Sequence, residues 1–284
     1  MKIDLHMHST ASDGTMPPAA LMQLAHQEGF SLVALTDHDT CSGIGEAARV
    51  AAEYGMDFLP GIELSCGGEK EIHVLGYGVD PESPQLEAFS SRREQERLDR
   101  AEQMLLKLRE AGIPIPMEDV LRNAGGMIGR PHIARAIVQL GYASSVQDAF
   151  RRYLVPGQCG YVPKAEVSVH EGCETILSAG GVPILAHPME LKSGEMALES
   201  LVHYWHSEGL MGMEVYHPST ANHKVHMLLS IARREQLLVT GGSDFHGPEV
   251  RNTILGQGCD RWDFKEDLLR LYEAMQKDCP TWLK

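Results

Sequence analysis

Seven short apolar segments recur along the chain, and most of them carry a histidine or an acidic residue at or next to their last position. They read KIDLHMH, SLVALTDH, FLPGIEL, IHVLGYG, VPILAHP, GMEVYHP and LLVTGGSDFH. Amphipathic segments such as PPAALMQLAHQEG separate several of them, and strands that alternate with helices predict a parallel sheet or barrel. Seven strands fit a (β/α) barrel with one strand fewer than the usual eight. The link between Glu63 and His73 is too short for a helical crossover, so these two strands are predicted to form a hairpin.

The alternation of strands and helices lapses in the middle of the chain. SRREQERLDRAEQMLLKLREAG predicts a long charged helix, and EDVLRNAG, RPHIARAIVQLGY and SVQDAFRRYL predict three shorter ones. We therefore predict an α/β fold in which residues 1–99 and 166–284 form the barrel. Residues 100–165 are predicted to form a helical insertion domain that caps the site at the barrel mouth.

The first predicted strand carries two histidines that point the same way. In a strand, residues i and i+2 share a face, so His6 and His8 lie on one side of KIDLHMH and its apolar residues lie on the other. Two neighbouring imidazoles pack poorly in a core but make a good half-site for a divalent cation. Asp13 follows in the loop after this strand.

Similar side chains recur at the later strands. The set comprises His38, Glu63, His73, His187, Asp244 and His246. Barrel enzymes gather their reactive groups at the C-terminal ends of strands, so these residues can converge with those of the first strand. Packing does not explain nine such side chains, and they predict a metal-binding centre.

The motifs HMHSTASDG, LTDHD, PGIELS, IHVLGYG, AHP and GSDFH, in this order, resemble those of the polymerase and histidinol phosphatase (PHP) family. The resemblance implies a distorted seven-stranded (β/α)7 barrel with three divalent metal ions, for which we expect Mn²⁺, with Fe²⁺ or Zn²⁺ as alternatives. The amidohydrolase family also begins with HxH, but it commonly bridges two metals with a carbamylated lysine. No predicted strand here ends in lysine, and Glu63 can act as the bridge.

The resemblance also assigns the nine side chains to three ions, of which the first and the third share Glu63. The first ion would be held by His6, His8, Glu63 and Asp244. The second would be held by Asp13, His38 and His246. The third would be held by His73, His187 and Glu63. Asp13 stands where some family members have histidine, which favours Mn²⁺ or Fe²⁺ at the second position.

Such a centre suits phosphate chemistry. Three carboxylates and six neutral imidazoles offset only part of the charge of three divalent ions, so the remaining positive field would attract a phosphate. A hydroxide that bridges two ions would be the nucleophile, because bound water loses its proton near neutral pH. EVYHP ends a strand, so His217 is expected to face the barrel mouth, where it contacts substrate or protonates the leaving oxygen. Asp37 and Asp39 flank His38, and either is predicted to orient an imidazole.

The insertion carries residues suited to a second phosphate. GRPHIAR places Arg130, His132 and Arg135 near the start of a helix, and Lys164 follows in GYVPKAEVS. The guanidinium group of arginine can donate two parallel hydrogen bonds to phosphate oxygens, and the ammonium group of lysine attracts phosphate as a point charge. Backbone N–H groups at helix N-termini are further donors for the same anion. Residues 92–170 hold 12 Lys and Arg against 9 Asp and Glu, although the whole chain has a formal net charge of −14. Acids at i,i+3 and i,i+4 spacings predict a solvated helix face for Arg92, Arg93, Arg97 and Arg100.

The insertion pattern GRPHIAR…YLVPG…GYVPK resembles a branch of the family that includes 3′,5′-nucleoside bisphosphate phosphatases and 5′→3′ exoribonucleases. The prediction is a phosphatase that removes the 3′-phosphate of a nucleoside 3′,5′-bisphosphate and leaves the 5′-monophosphate. One alternative is stepwise digestion of short single-stranded RNA from its 5′ end. Another, from a different class, is a noncatalytic metal-binding module in which the ions are structural.

The composition excludes several other classes of protein. No stretch approaches the roughly 18–20 apolar residues of a membrane span, so no membrane is expected as a partner. The six cysteines form no CxxC pair and are predicted to be reduced thiols of a cytoplasmic protein. The acidic net charge disfavours a general polyanion binder, and no protein partner is evident.

Overall fold

The computed structural model describes residues 1–67, 71–248, 250 and 253–283. Seven strands form one sheet in chain order: β1 (Lys2–Asp4), β2 (Phe30–Leu35), β3 (Asp57–Cys66), β4 (Ile72–Tyr77), β5 (Val182–Leu185), β6 (Gly212–Tyr216) and β7 (Leu238–Gly241). The sheet is open, and a bridge between Met7 and Phe245 links its two edges. This arrangement confirms the prediction of a distorted seven-stranded (β/α)7 barrel.

Ten α-helices are found in the described part of the chain. They are α1 (Pro18–Gln27), α2 (Ile44–Glu53), α3 (Pro84–Glu110), α4 (Met117–Leu121), α5 (Arg130–Gln139), α6 (Val146–Ala149), α7 (Val169–Ser178), α8 (Glu195–Ser207), α9 (Asn222–Arg234) and α10 (Phe264–Ala274). A π-helical turn (Phe150–Leu154) and two 3₁₀ turns (Pro188–Leu191 and Cys259–Arg261) complete the helical segments. None of the described helices is long and apolar enough to cross a bilayer.

Strand β4 is antiparallel to both of its neighbours, whereas the other strand pairs are parallel. The predicted hairpin of β3 and β4 is therefore confirmed. The expectation that every candidate lies at a strand end was wrong for this hairpin: Glu63 lies within β3, and His73 is the second residue of β4. Because β4 runs in the opposite direction, its start lies at the edge where the parallel strands end. His73 thus reaches the same mouth from the other end of its strand.

The barrel and the insertion have separate apolar cores. Buried residues of the strands and of helices α7 to α10 form the barrel core, and those between Ala101 and Val162 form a second cluster. Helices α1 and α2 pack with one side of β2 in a third cluster beside the barrel core. Helix α3 belongs to both, because its first turns place Leu86 and Phe89 in the barrel core and its last turns place Leu108 in the insertion core. A continuous helix therefore crosses the predicted boundary at residue 100.

The insertion also packs against the loop that follows β1. The N–H of Met127 donates to the carbonyl of Ala11 at 2.9 Å. A Cβ added at Gly126 would lie 2.2 Å from the same oxygen, so only glycine permits this approach. Because Asp13 belongs to this loop, the insertion helps to fix a candidate ligand.

Candidate metal centre and adjoining cavity

Glu63 lies fully buried at the centre of the candidate site. Its Oε2 lies 3.1–3.3 Å from ring nitrogens of His6, His8 and His38. Its Oε1 lies 2.9 Å from ring nitrogens of His73 and His187. Burial alone would raise the pKa of Glu63, but the neighbouring imidazoles, His38 foremost, hold it well below its usual value. Five histidines from four separate segments thus surround one carboxylate anion.

Asp244 completes a first group of ligand-type atoms. Its Oδ1 lies 3.4 Å from Nε2 of His6 and 3.1 Å from Nε2 of His8, and all ligand atoms of this group, including Glu63, lie within 4.8 Å of one another. The backbone of Asp244 adopts a left-handed φ of 52°, a conformation that is uncommon for residues other than glycine. Just before it, a Cβ at Gly242 would lie 2.1 Å from that of His6, so this approach also requires glycine.

Asp13 defines a second group with His8, His38 and His246, again within 4.8 Å. Its Oδ1 lies 3.2 Å from Nε2 of His246 and 3.9 Å from Nε2 of His38. A third group combines His38, Glu63 and His73. His187 adjoins the third group, since its Nε2 lies 3.2 Å from Nδ1 of His73. The structure therefore brings all nine predicted ligands together, and their binding of ions stays a prediction.

The donor set fits divalent cations. Within the described part of the chain, several buried nitrogen and oxygen atoms of the cluster have no hydrogen-bond partner: His6 Nε2, His8 Nδ1 and Nε2, Asp13 Oδ1, His38 Nδ1, Glu63 Oε2 and His246 Nε2. A buried polar atom left without a partner costs about 1–3 kcal/mol. These atoms face one another at the spacing that shared cations require, and imidazole with carboxylate is a common donor set for Mn, Fe and Zn.

Glu214 orients part of the cluster, and sequence analysis missed it. This buried residue of β6 places Oε1 3.0 Å from Nδ1 of His6 and accepts the backbone N–H of His187 through Oε2 at 2.8 Å. Burial raises its pKa, but His6 and His217 outweigh burial and lower it. An anion that accepts the Nδ1 proton turns Nε2 of His6 toward the centre. The signal was an acid inside GMEVYHP, a strand that is otherwise apolar.

The two aspartates beside His38 bind other partners. Asp37 accepts hydrogen bonds from the hydroxyl groups of Ser9 and Ser12, at 2.7 and 2.6 Å. Asp39 accepts the backbone N–H of Ser65 at 2.7 Å and pairs with Arg97. They therefore fix the loops around the mouth, and the predicted task of orienting a ring belongs to Glu214.

His217 is buried beside the first group. Its Nδ1 accepts the N–H of Ser219 at 3.0 Å, so in the neutral ring Nε2 carries the proton. That Nε2 lies 3.9 Å from Oδ2 of Asp244. This geometry lets the neutral ring donate a hydrogen bond from Nε2. The predicted transfer of a proton would need the imidazolium form and stays a prediction.

A cavity of about 190 Å³ adjoins the second and third groups. Asp13, His38 and His73 line one part of it. The rest of the lining includes two acids, Glu71 and Glu96, and five cationic residues. We call these five the cationic wall: Arg93, Arg97, Arg100, Arg130 and Lys164. Anions entering the cavity would thus meet guanidinium and ammonium groups within reach of the candidate metal centre.

Only two of the four basic residues predicted from the insertion line this cavity, namely Arg130 and Lys164. Arg135 instead donates to the backbone carbonyl of Asp13 at 2.7 Å. His132 caps α5, because its Nδ1 accepts the N–H of Gly129 at 2.9 Å, and burial lowers its pKa to about 4. In this structure Arg135 and His132 therefore stabilise backbone segments near the barrel mouth.

Helix α3 supplies the rest of the cationic wall, so the prediction of a solvated face was wrong for Arg93, Arg97 and Arg100. It was right for Arg92, whose side chain is 47% exposed and pairs with Glu171. Nε of Arg97 donates to Asp39 at 2.9 Å, and Nη1 donates to the carbonyl of Ile128 at 3.3 Å. The prediction failed because basic and acidic residues at i,i+4 spacing occur both on a helix face exposed to solvent and on one that lines a cavity.

The fold, the clustered ligands and the adjoining cationic wall together define a metal-dependent phosphoesterase. The PHP domain profile matches residues 4–147, and the chain belongs to this family. It is 37% identical to a 3′,5′-nucleoside bisphosphate phosphatase of Chromobacterium violaceum, over 87% of each chain. It is 36% identical to a 5′-3′ exoribonuclease of Haemophilus influenzae, over 87% of this chain and 90% of that one. The predicted family and the hydrolase class are confirmed.

Two solved structures show the same architecture. An amidohydrolase from Chromobacterium violaceum, with bound sulfate and no metal, superposes with a TM-score of 0.82 at 37% identity, over 88% of this chain and 89% of that one. A protein of Bifidobacterium adolescentis, whose name proposes a metal-dependent phosphoesterase, superposes with a TM-score of 0.84 at 32% identity, over 96% of each.

Proposed function

We propose that the protein removes the 3′-phosphate of nucleoside 3′,5′-bisphosphates and releases the nucleoside 5′-monophosphate. One observation carries this proposal: the cationic wall lies in the same cavity as three candidate metal ligands. A substrate with two phosphates can place one at the metal centre and the other at the wall. The similarity to a relative named for this activity supports the proposal.

Three divalent cations, which we propose to be Mn²⁺, would be held by the three groups of ligand-type side chains described above, with His187 completing the third. When bound, they would supply activated water and positive charge for the phosphate oxygens. The protein holds these ligands in place: Glu214 contacts the ring of His6, and Arg135 donates to the backbone carbonyl of Asp13.

The second phosphate would be bound by Arg100, Arg130 and Lys164. Nε of Arg100 donates to the carbonyl of Val162 at 2.9 Å, and within the described residues no carboxylate forms an ion pair with this guanidinium. Nζ of Lys164 donates only to the carbonyl of Cys66, at 2.7 Å, among its described contacts. Both groups thus keep donors for an anion. His217 would donate a hydrogen bond from Nε2 to the leaving oxygen and so stabilise the charge that develops there.

Digestion of short RNA from the 5′ end is the second candidate function. A relative named for it is 36% identical over a comparable length, so the match does not separate the two activities. The geometry would be shared, with the 5′-phosphate at the cationic wall and a diester at the metal centre. A cytoplasmic location also stays a proposal, in keeping with six free cysteines.

The test uses Mn²⁺-loaded protein, adenosine 3′,5′-bisphosphate and 5′-phosphorylated oligoribonucleotides of increasing length. We expect fast release of phosphate and accumulation of adenosine 5′-monophosphate. Accumulation of the 3′-monophosphate would overturn the assigned orientation. Faster turnover of the longer chains would favour the exoribonuclease. If chelation and reloading restored the folded structure without any hydrolysis, the ions would be structural.

A further inference from the structure

Glu71 is an acidic residue of the cavity that lies outside the nine candidate ligands. It immediately precedes β4 and lines the cavity together with Arg130 and Lys164. One Nη2 proton of Arg130 is donated to its Oε1. The Glu71 side chain is 47% exposed and that of Arg130 only 19%, so this carboxylate can leave while the guanidinium stays.

Glu71 and Arg130 form an ion pair at the wall of the cavity. The guanidinium of Arg130 also lies over the ring of Phe150, with its central carbon 5.8 Å from the ring centroid. Contacts on both sides therefore hold Arg130, and the contact with the acid is the one that another anion can replace.

We propose that Glu71 acts as an internal competitor for the second phosphate: its carboxylate occupies the position on Arg130 that this phosphate takes in the complex. The inference rests on the proposed function. A phosphate dianion displaces a single carboxylate because it carries more charge and forms two parallel hydrogen bonds with the fork. When the 5′-monophosphate product leaves, Glu71 returns to Arg130, which weakens product binding and speeds release.

The sign of one substitution separates this role from a positioning role. If Glu71 competes, Glu71→Gln tightens the binding of a 5′-phosphate, because the rival charge is gone. If Glu71 merely holds Arg130 in place, the same change weakens binding. We expect roughly three- to tenfold tighter binding, in line with a partly exposed ion pair and the relief of like-charge repulsion.

The experiment measures binding of adenosine 5′-monophosphate to the Mn²⁺-loaded full chain by calorimetry, for the wild type, Glu71→Gln, Arg130→Ala and the double variant. Glu71→Gln should lower Kd and the product-inhibition constant by the same factor, and the effect should vanish in the Arg130→Ala background. The matched control is Glu171→Gln, which removes a carboxylate from Arg92 away from the cavity and should leave Kd unchanged.

Weaker binding, an unchanged Kd, or a gain that persists without Arg130 would each overturn the proposal. Absence of measurable binding to the wild type would also overturn it, because no phosphate would then reach Arg130. The outcome is separate from that of the proposed reaction. If Glu71→Gln tightened binding but the wild type did not hydrolyse the bisphosphate, the proposed reaction would be wrong and the competitor role of Glu71 would stand. If the bisphosphate were hydrolysed but Kd did not change, the reaction would stand and the competitor role would be wrong.

Discussion

The metal centre and the cationic wall adjoin one cavity but are built in opposite ways. In the centre, the donor atoms are buried and face one another, and many of them have no hydrogen-bond partner in the described chain. In the wall, Arg97 is paired with Asp39 and Arg130 with Glu71. The centre is therefore preorganised for ions, whereas part of the wall must exchange partners to bind substrate. Chemistry should depend on the first region and substrate choice on the second.

The largest effect should come from Glu63→Gln. An amide cannot replace a carboxylate that meets five imidazoles, so more than one ion should be lost per chain. Because metal ions contribute several kcal/mol to catalysis, activity should fall by roughly a thousandfold on every phosphate ester. Metal analysis and phosphate release measure the two losses.

Glu53→Gln is the control, because this exposed acid pairs with Arg49 on the surface of α2. It should keep full metal content and activity. If Glu63→Gln lost only one ion, Glu63 would not be a shared bridge, and the division into three groups would need revision.

A smaller loss is expected for Glu214→Gln. The amide can still contact Nδ1 of His6, but it no longer stabilises the ring as an anion does. Outer partners of metal-ligating histidines typically contribute about 10–100-fold to affinity or activity. We expect a loss of this size in affinity for one ion while the other two stay bound, which titration of the chelated protein with Mn²⁺ would resolve. Loss of all three ions would contradict the local role of Glu214.

The two regions also differ in how far the sequence predicts them. Alternation along KIDLHMH places His6 and His8 on one face, although β1 itself ends at Asp4. Barrel geometry gathers the residues that follow the other parallel strands. The centre could therefore be predicted from sequence together with the family resemblance. Glu63 and His73 were placed correctly at the mouth although the hairpin sets them inside strands, because β4 brings its start to that edge.

The cationic wall could be predicted only in part. Arg130 begins α5 directly after a loop and Lys164 lies within one, and basic residues at such positions suggest a binding role. Arg97 and Arg100 lie on a helix with nearby acids, and helical spacing does not reveal which face lies across a cavity. The partner of Arg97 is Asp39, 58 residues earlier in the chain, so only the tertiary fold brings the pair together.

Arg100→Ala tests whether the wall selects substrates. The variant should raise KM for the bisphosphate roughly tenfold or more, since a hydrogen bond to a charged group contributes about 1.5–3 kcal/mol. An aryl phosphate has no second phosphate, so its kcat/KM should change little. Arg92→Ala, two turns earlier on the exposed side of α3, is the matched control. Equal losses on both substrates would place Arg100 in the chemistry instead.

Arg135→Ala should give the opposite pattern. Because Arg135 donates to the carbonyl of Asp13, its removal should loosen a candidate ligand without touching the wall. We expect a loss of several-fold on the bisphosphate and on the aryl phosphate alike, with weaker binding of one ion. A loss confined to the bisphosphate would restore the original prediction that Arg135 grips the second phosphate. Steady-state kinetics on both substrates, at saturating Mn²⁺, decides between them.

The smallest effect is a pH dependence carried by Lys164. Burial lowers the pKa of its ammonium group to about 8, although Glu71 and Asp39 oppose the shift. The charged form, which binds phosphate, is present below this pH and is lost above it, so kcat/KM for the bisphosphate should fall a few-fold as the pH rises through about 8. Bound phosphate favours the protonated amine, so kcat should fall later than kcat/KM does. Lys164→Arg should remove this step from the profile, since a guanidinium stays charged throughout. If kcat/KM for the aryl phosphate fell near the same pH, the titrating group would belong to the metal centre and not to the cationic wall.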